Sequence, residues 1–521
     1  MENLKERIFN NRYALAAMIF FAVGVFVRIF RFGEIPSGFN QDEAFAAYET
    51  FSLINYGVDS AGYHNPTYFV SWGSGMNVLE SYLAVPFCLL FGYGESAFRL
   101  PQLICGLFSL PAFYCLLKRL FGEKIATVGL GILAVAPWHI MLCRWGLESN
   151  LAPAFLLFGL LFLVKGADKN AYFLLSALFY GLALYSYSVT WLAVPLMLMV
   201  FGIYILVSSP KINPLYVMGA VVILLVFALP HILFLLVNNG VIPEIRTDLL
   251  SIPKMVEMRT GEISLKNLFS FGGYKNLFNI LFFQKDGLLW NSTDYGMFYP
   301  FSILFFILGI IKLILNVVRD FKAKRFSGSY FVLGGFLSSV LVFLLLKGVN
   351  INKSNCMHLF TLMIIAVGIT AAVYGAQNRK ILKTAIVILY AVSFISFSSF
   401  YFTDYRYCVS SQFRTGVGQA VETVNALGVK RVAVDRSIFH SQILIYDKTP
   451  TNEFIDTVEY ENYPNAYLSA KSFTKYTFGI DYDNPDEFDA YIILNDKLDL
   501  FSSDDYYMYT FENYSAVIAK Q

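Results

Sequence analysis

Residues 12–51, RYALAAMIFFAVGVFVRIFRFGEIPSGFNQDEAFAAYETF, decide the fold of this chain. The run 12–30 is apolar and long enough to cross a bilayer, since a spanning helix needs about 20 residues. Just beyond it, Asp42 and Glu43 open a segment of mixed polarity that can fold as a helix. Transporters more often place their acids inside spans. An acidic pair beyond the end of a span therefore favours an enzyme that keeps its base at the membrane surface.

The rest of the chain has the composition of a membrane protein. It has 521 residues, of which 57% are hydrophobic and 15% charged, and its mean hydropathy is +0.56. We predict a polytopic α-helical membrane protein. The predicted spans are about eleven: 12–30, 100–118, 125–143, 151–166, 171–189, 190–208, 215–236, 299–318, 329–347, 357–376 and 381–401. Residues 79–92 are apolar but short and contain Pro86, so we predict an interfacial or re-entrant helix there.

Basic residues orient these spans. They cluster in alternate loops, which eleven spans place on one side of the membrane; examples are Lys5, Arg7, Lys118, Arg119, Lys124, Arg319, Lys322, Arg379 and Lys380. The positive-inside rule makes that side cytoplasmic. We therefore predict a multi-pass protein of the cell membrane with a cytoplasmic N-terminus. Its two long loops, 31–98 and 237–298, then lie on the outer face.

Residues 402–521 differ from the rest. They hold 18 acidic and 10 basic residues, a net charge of −8, which leaves +10 on the remainder of the chain. KRVAVD (430–435) and AYIILND (490–496) indicate strands, AVETVNALGV (420–429) indicates a helix, and residues 507–520 indicate a closing hairpin. We predict a membrane domain at 1–401 and a soluble extracytoplasmic α/β domain at 402–521. The second domain suits acceptor binding or docking to an envelope partner, and a passive cap is the alternative.

The acidic pair stands at the start of a predicted helix. Asn40 or Asp42 can cap a helix that runs to about Ile54. On such a helix Asp42 and Glu49 share a face, whereas Glu43 is turned away by about 100°. Acids are also stabilising at a helix N-terminus, so capping remains the alternative function of the pair.

Several segments resemble one family. These are the Asp42-Glu43 pair, the His64-Asn65-Pro66 turn, FRLPQLICGLFSLPAFYCLLKRLFG (98–122), APWHIMLCRWGLESN (136–150) and DGLLWNSTDYGMFYP (286–300). Together they resemble, over about residues 10–376, the bacterial protein O-mannosyltransferase and aminoarabinose-transferase group of GT-C glycosyltransferases. The resemblance implies a GT-C fold and transfer of a sugar from a polyprenyl-phosphate donor to a hydroxyl acceptor at the outer face, usually with inversion. The acceptor is a protein, a lipid or an envelope polymer.

The resemblance also implies roles for single residues. Asp42 corresponds to the acid that takes the acceptor proton, and Glu43 would orient it or the sugar hydroxyls. Arg99 corresponds to an arginine on the lipid phosphate, with Arg144 and Lys353 as further cations. As alternatives, both arginines can snorkel to lipid headgroups, and Arg144 can pair with Glu148 four residues on. Lys353 stands where the group leads us to expect arginine, and lysine cannot make the same bidentate contact.

The remaining candidates are two loop residues and a metal. His64 either contacts substrate or fixes the turn before Pro66, and Asp286 is either a second acid near the sugar or a solvated loop acid. The first outer loop offers Asp42, Glu43, Glu49, His64 and Glu80 without a compact ligand spacing. We therefore assign no metal site, while a divalent cation remains possible for this reaction class.

Two other classes of function compete with the transferase. A polyprenyl-lipid or glycan transporter would carry charges inside its spans and broken helices in paired halves. A scaffold or sensor would need far fewer spans. The charged candidates gather instead toward one face, which favours chemistry at the membrane surface.

Overall fold

The computed structural model describes residues 12–71, 74–208, 211–258, 262–323, 327–482 and 488–520. Lys5 and Arg7 lie outside these ranges. The helices of the membrane part are α1 (Arg12–Ile29), α2 (Gln41–Tyr56), α3 (Leu79–Phe91), α4 (Glu95–Phe121), α5 (Glu123–Val135), α6 (Pro137–Leu142), α7 (Glu148–Gly166), α8 (Tyr172–Leu184), α9 (Thr190–Ser208), α10 (Pro214–Asn238), α11 (Phe271–Phe278), α12 (Ser302–Lys322), α13 (Gly328–Leu345), α14 (Asn355–Gly375) and α15 (Arg379–Thr403). The C-terminal helices are α16 (Tyr405–Val409), α17 (Val417–Ala426), α18 (His440–Asp447) and α19 (Thr451–Thr457).

Eight helices in the described ranges are long and apolar enough to cross a membrane: α1, α4, α7, α10, α12, α13, α14 with the turn before it, and α15. Of the other three predicted spans, 171–189 contains the 13-residue helix α8, 190–208 coincides with α9, and 125–143 is split into α5 and α6. The split falls at Ala136, whose backbone is extended, because Pro137 lacks an N–H and suits the first position of a new helix.

The apolar run 79–92 forms the 13-residue helix α3, which ends at Gly92. Its last residues, Leu89, Leu90 and Phe91, are exposed in the isolated chain. A helix of this length is shorter than a membrane span, so its interfacial placement stays a prediction.

The C-terminal part carries a sheet of seven described strands in the order β4-β5-β6-β3-β7-β9-β8. These are β3 (Val432–Val434), β4 (Glu459–Tyr460), β5 (Ala470–Phe473), β6 (Tyr476–Phe478), β7 (Ala490–Leu494), β8 (Tyr506–Thr510) and β9 (Tyr514–Ala519). Strand β3 pairs in parallel with β6 and β7, and the other pairs are antiparallel. A two-stranded ladder, β1 (Ile245–Arg246) and β2 (Ser251–Ile252), lies in the second outer loop. The predicted strands, helix and closing hairpin are therefore present.

One hydrophobic core joins the first outer loop to the C-terminal sheet. It contains Phe39, Tyr48 and Phe51 from the loop together with residues such as Val421 and Leu444. A separate and larger core fills the space between the membrane helices. The C-terminal part thus packs against the first of the two long loops, which carries Asp42.

Candidate functional site

Asn40 caps the helix that carries the acidic pair. Its side-chain oxygen accepts a hydrogen bond from Asp42 N at 3.2 Å, and Asn40 N donates to Glu43 Oε2 at 3.4 Å, which completes a capping box. The helix runs to Tyr56 and ends at Gly57, whose φ of 71° favours glycine. Because Asn40 and Glu43 cap the helix, capping does not require the half-buried Asp42 carboxylate.

Glu43 is buried and bound to other parts of the chain. Its side chain is fully buried and forms a bidentate ion pair with Arg99, with Nε donating to Oε1 at 2.6 Å and Nη2 to Oε2 at 2.8 Å. Gly146 N also donates to Oε1 at 2.6 Å. A side chain at Gly146 would collide with Phe98, so only glycine allows this approach. Glu43 therefore joins three segments of the chain, and its role in orienting Asp42 or the sugar hydroxyls stays a prediction.

The guanidinium of Arg99 binds groups of the protein itself. Besides Glu43, its guanidinium donates to Pro36 O at 2.7 Å and to Gly38 O at 2.6 Å. Its side chain is fully buried. A guanidinium so enclosed does not snorkel to a headgroup. Its contacts hold the backbone before Asp42, and its role on the lipid phosphate stays a prediction.

Arg144 is also buried and bound to backbone. Its guanidinium donates to Arg28 O at 2.9 Å, to Arg31 O at 2.6 Å and, at 3.3 Å, to Val27 O and Ile35 O. It thus places a positive charge on the carbonyl end of α1, where a cation is favourable. Its snorkelling to headgroups is contradicted by this burial.

Glu148 has separate partners from Arg144. Its Oε2 accepts hydrogen bonds from Asn77 N at 2.5 Å and from Asn77 Nδ2 at 2.9 Å. The expected Arg144–Glu148 pair is thus replaced by these contacts to Asn77. Glu148 consequently ties the start of α7 to the loop before α3.

His64 lies at a turn in the first outer loop. His64 is exposed, and its Nδ1 lies 3.0 Å from Gly57 O beside the bridge between residues 58 and 64, so it fixes the turn.

Asp286, in the second outer loop, accepts hydrogen bonds from backbone and amide donors: Leu288 N at 2.9 Å, Asn291 Nδ2 at 2.7 Å and Ile351 N at 2.9 Å. These contacts differ from those of a solvated loop acid.

Asp286 also lines a cleft of about 440 Å³ with asparagines and a lysine: Asn276, Asn279, Lys285 and Asn350. Lys353 lies three residues after Asn350 and is partly exposed. Its Nζ lies 2.5 Å from Glu262 Oε2. The bond from Ile351 N to Asp286 brings the predicted residues Asp286 and Lys353 onto neighbouring segments.

Two buried acidic sites, which hold three carboxyl groups, were not recognised from the sequence. Glu80, considered there only as a cation ligand, is fully buried, and Gln102 Nε2 donates to its Oε2 at 2.7 Å. Burial, and secondarily the charge of Glu43, raise the pKa of Glu80 well above its usual range. Glu80 Oε1 and Gln102 Oε1 have no partner among the described atoms. A proton on Glu80 Oε1 would let this oxygen donate a hydrogen bond to Gln102 Oε1, and both atoms would then have a partner.

Glu49 and Asp59 form the second buried acidic group. Ser60 N donates to Glu49 Oε2 at 2.8 Å and the Ser60 hydroxyl donates to Oε1. Asp59 Oδ1 accepts from Ala61 N and Tyr63 N, while its Oδ2 has no partner in the described ranges. Burial raises the pKa of Asp59 to about 7, and burial and the Asp59 charge raise the pKa of Glu49. The acid at position 49, well inside the helix and away from its N-terminus, was the available sequence signal.

Metal ligands are a separate question. Within the described ranges, no group of three or more His, Cys, Asp or Glu side chains is arranged to hold a metal ion.

Comparisons with known proteins bear on this arrangement. Two crystal structures of ArnT from Cupriavidus metallidurans, one apo and one bound to undecaprenyl phosphate, match with a TM-score of 0.54 each. The sequences are 13% and 12% identical, and each match covers 96% of this chain and 97% of that chain. This chain has the GT-C fold. The predicted class, a polytopic helical membrane protein with a C-terminal sheet domain, is confirmed.

The GT-C fold is accompanied by a sequence match. Residues 78–234 match the family model of dolichyl-phosphate-mannose-protein mannosyltransferase. This range contains Glu80, Arg99, Arg144 and Glu148 and begins after Asp42. None of the curated proteins matches the sequence.

Proposed function

We propose that this protein is a membrane glycosyltransferase that moves a sugar from a polyprenyl-phosphate donor to a hydroxyl acceptor, with Asp42 as general base. The observation that carries the proposal is the start of α2. There Asn40 and Glu43 cap the helix, and Arg99 fixes the backbone of the segment that leads to Asp42. A general base must lie within about 2.6–3.2 Å of the proton that it takes.

The comparisons support the substrate class. One ArnT structure is bound to undecaprenyl phosphate, and the matched family is named for transfer from dolichyl-phosphate mannose to protein. We infer a polyprenyl-phosphate donor on this basis. The family name favours a protein hydroxyl as acceptor over a lipid or an envelope polymer.

The reaction that we propose is a single displacement at the anomeric carbon. Asp42 takes the acceptor proton as the acceptor oxygen forms its bond to that carbon. The bond from the carbon to the phosphate oxygen breaks, and the polyprenyl phosphate leaves with the electron pair. The sugar configuration is inverted.

The departing phosphate needs cations or N–H donors near it. Since Arg99 and Arg144 bind carbonyls and a carboxylate, we assign this role to the second outer loop. Lys353 and Lys285 are partly exposed there, and three asparagine amides line the adjacent cleft. Their partners are Glu262, which is partly exposed, and Asp294, which is almost fully exposed.

We further propose the arrangement in the membrane. The N-terminus is cytoplasmic, and the outer loops and residues 402–521 lie outside, as a domain distinct from 1–401. The support is the loop charge of the sequence, including Lys118 and Arg119 at the end of α4 and Arg319 and Lys322 at the end of α12.

The test is mass spectrometry of envelope glycans and lipid-linked sugars in a strain that lacks the gene. The proposal expects that one modification is lost, that its lipid-linked donor accumulates, and that only the wild-type copy restores the modification. Restoration by Asp42→Asn would contradict the assignment of the base. If no modification is lost and a lipid substrate collects on one leaflet, the transporter alternative is favoured.

A further inference from the structure

Segment 36–41 leads directly into the helix of Asp42, and side chains bind its backbone carbonyls one after another. From the membrane side, Arg99 donates to Pro36 O at 2.7 Å and to Gly38 O at 2.6 Å. The carbonyl of Asn40 accepts the first helical bond from Ala44 N. The membrane helices therefore fix part of this segment.

The C-terminal part binds the alternate carbonyls from the outside. Thr415 Oγ1 donates to Ser37 O at 2.8 Å, Gln442 Nε2 donates to Phe39 O at 2.9 Å, and Ser441 Oγ donates to Gln41 O at 3.2 Å. These three donors come from two different segments, the turn before α17 and the start of α18. Segment 36–41 is thus held between Arg99 and the C-terminal part.

The two surfaces also meet without room for adjustment. Gly38 has a φ of +80°, and a Cβ there would lie 2.3 Å from Phe413 O. Asn40 Nδ2, on the residue that caps the Asp42 helix, donates to Gln412 O at 3.3 Å. A shift of the C-terminal part is therefore transmitted to the backbone next to Asp42.

Gln442 is the central contact. It is fully buried, its Oε1 accepts from Phe439 N at 3.0 Å, and its Nε2 donates to Phe39 O. The same amide therefore caps its own helix and fixes the residue three positions before Asp42. An apolar side chain of similar length would leave the buried Phe39 carbonyl without this donor, which is unfavourable.

We propose that Thr415 and Gln442 are positioning residues for Asp42, and that residues 402–521 are needed for the chemical step and not only for acceptor choice. The inference rests on the proposed function of Asp42. Neither residue needs to touch substrate. They act by fixing the backbone from which the base projects, and an error of about 1 Å in such a group can reduce the rate about a hundredfold.

The test uses full-length protein with Thr415→Val, with Gln442→Met and with both changes. Each replacement keeps the approximate volume and removes the donor. Thr423→Val is the matched control, because the Thr423 hydroxyl donates to Gln419 O within its own helix. Transfer is measured in membranes of the deletion strain, with the lipid extract of that strain as donor, and hydrogen exchange of residues 37–44 is measured on the purified variants.

We expect kcat to fall about tenfold in each single variant and about a hundredfold in the double variant. The amount of donor extract that gives half-maximal rate should stay within about twofold, and amides 37–44 should exchange faster. Thr423→Val should match the wild type in all three. The single Thr415→Val change, which removes one hydroxyl, keeps the test available if the double variant does not fold.

The proposal is overturned if kcat of the single variants equals that of the control, whatever happens to hydrogen exchange. It is also overturned if only the half-saturating amount of donor rises. The outcomes for Asp42→Asn separate this inference from the proposed function. Full transfer by Asp42→Asn would refute the base itself, whereas an inactive Asp42→Asn beside fully active Thr415→Val and Gln442→Met would refute only the positioning role.

Discussion

The buried Glu43–Arg99 pair gives the sharpest prediction on stability. Both side chains are fully buried and joined by two short hydrogen bonds. In Glu43→Gln the guanidinium keeps its charge without a compensating carboxylate. Removing one partner of a buried pair costs about 3–5 kcal/mol, because the remaining charge stays desolvated. We therefore expect the free energy of unfolding to fall by about that amount.

The protein also contains a matched surface pair. Arg119 binds Asp168 with the same two nitrogens, Nε at 2.8 Å and Nη2 at 2.6 Å, but the side chains are 39% and 56% exposed. Exposed pairs contribute about 0–1 kcal/mol. Asp168→Asn should therefore change the free energy of unfolding little, although the Arg119–Asp168 pair has nearly the same hydrogen-bond geometry as the Arg99–Glu43 pair.

The assay is reversible unfolding of purified protein by titration with SDS in mixed micelles. A double variant, Glu43→Gln with Arg99→Met, removes both charges and should lose less than the sum of the two single losses, by at least about 1 kcal/mol. The reasoning is refuted if Glu43→Gln loses no more than Asp168→Asn, or if the two single effects add without coupling.

Three further predictions concern buried acids and the membrane surface. Glu80→Gln should change the free energy of unfolding at pH 7 by less than about 1 kcal/mol, because burial favours the uncharged form of Glu80 and raises its pKa, and glutamine has nearly the same shape without a charge. A loss as large as that of Glu43→Gln would contradict this. The pKa of Asp59, raised to about 7, makes its stabilising contribution complete below about pH 4 and lost as the pH rises through 7. Unfolding titrations from pH 4 to 8 should therefore show a decline that Asp59→Asn reduces, and an unchanged slope in the variant would count against it. Phe271 on α11 is 82% exposed, and Lys275 lies one turn on, so Phe271→Trp should be quenched by brominated lipids in liposomes; quenching by aqueous iodide alone would place it in water.

The sequence predicted the parts of the fold that depend on local patterns. The Asn40 cap, the helix to about residue 54 and the hairpin 507–520 follow from neighbouring residues, and the structure contains them. Strands β4, β5 and β6 were not predicted. They are two to four residues long, and the segment 459–478 mixes tyrosine, lysine and serine without a clear alternation.

The environment of the arginines could not be predicted from local patterns. Arg99 is 56 residues from its partner Glu43, and Arg144 binds carbonyls more than 100 residues away. A sequence shows that an arginine stands at the end of a span, but its burial depends on long-range packing. The Arg99 phosphate assignment came from the family resemblance and did not anticipate these buried contacts. The role of the C-terminal part was likewise left open, since its contacts to segment 36–41 join residues almost 400 positions apart.

The most direct test of the central claim compares the initial rates of sugar transfer by wild-type protein and Asp42→Asn. Both are purified to equal amounts of folded protein, and the donor is the lipid extract of the deletion strain. Loss of a general base reduces the rate by about 10²–10⁴-fold. We predict a fall in this range with the unfolding free energy unchanged, since Asn40 and Glu43 still cap the helix. A rate equal to that of the wild type would contradict the account of Asp42 as the base.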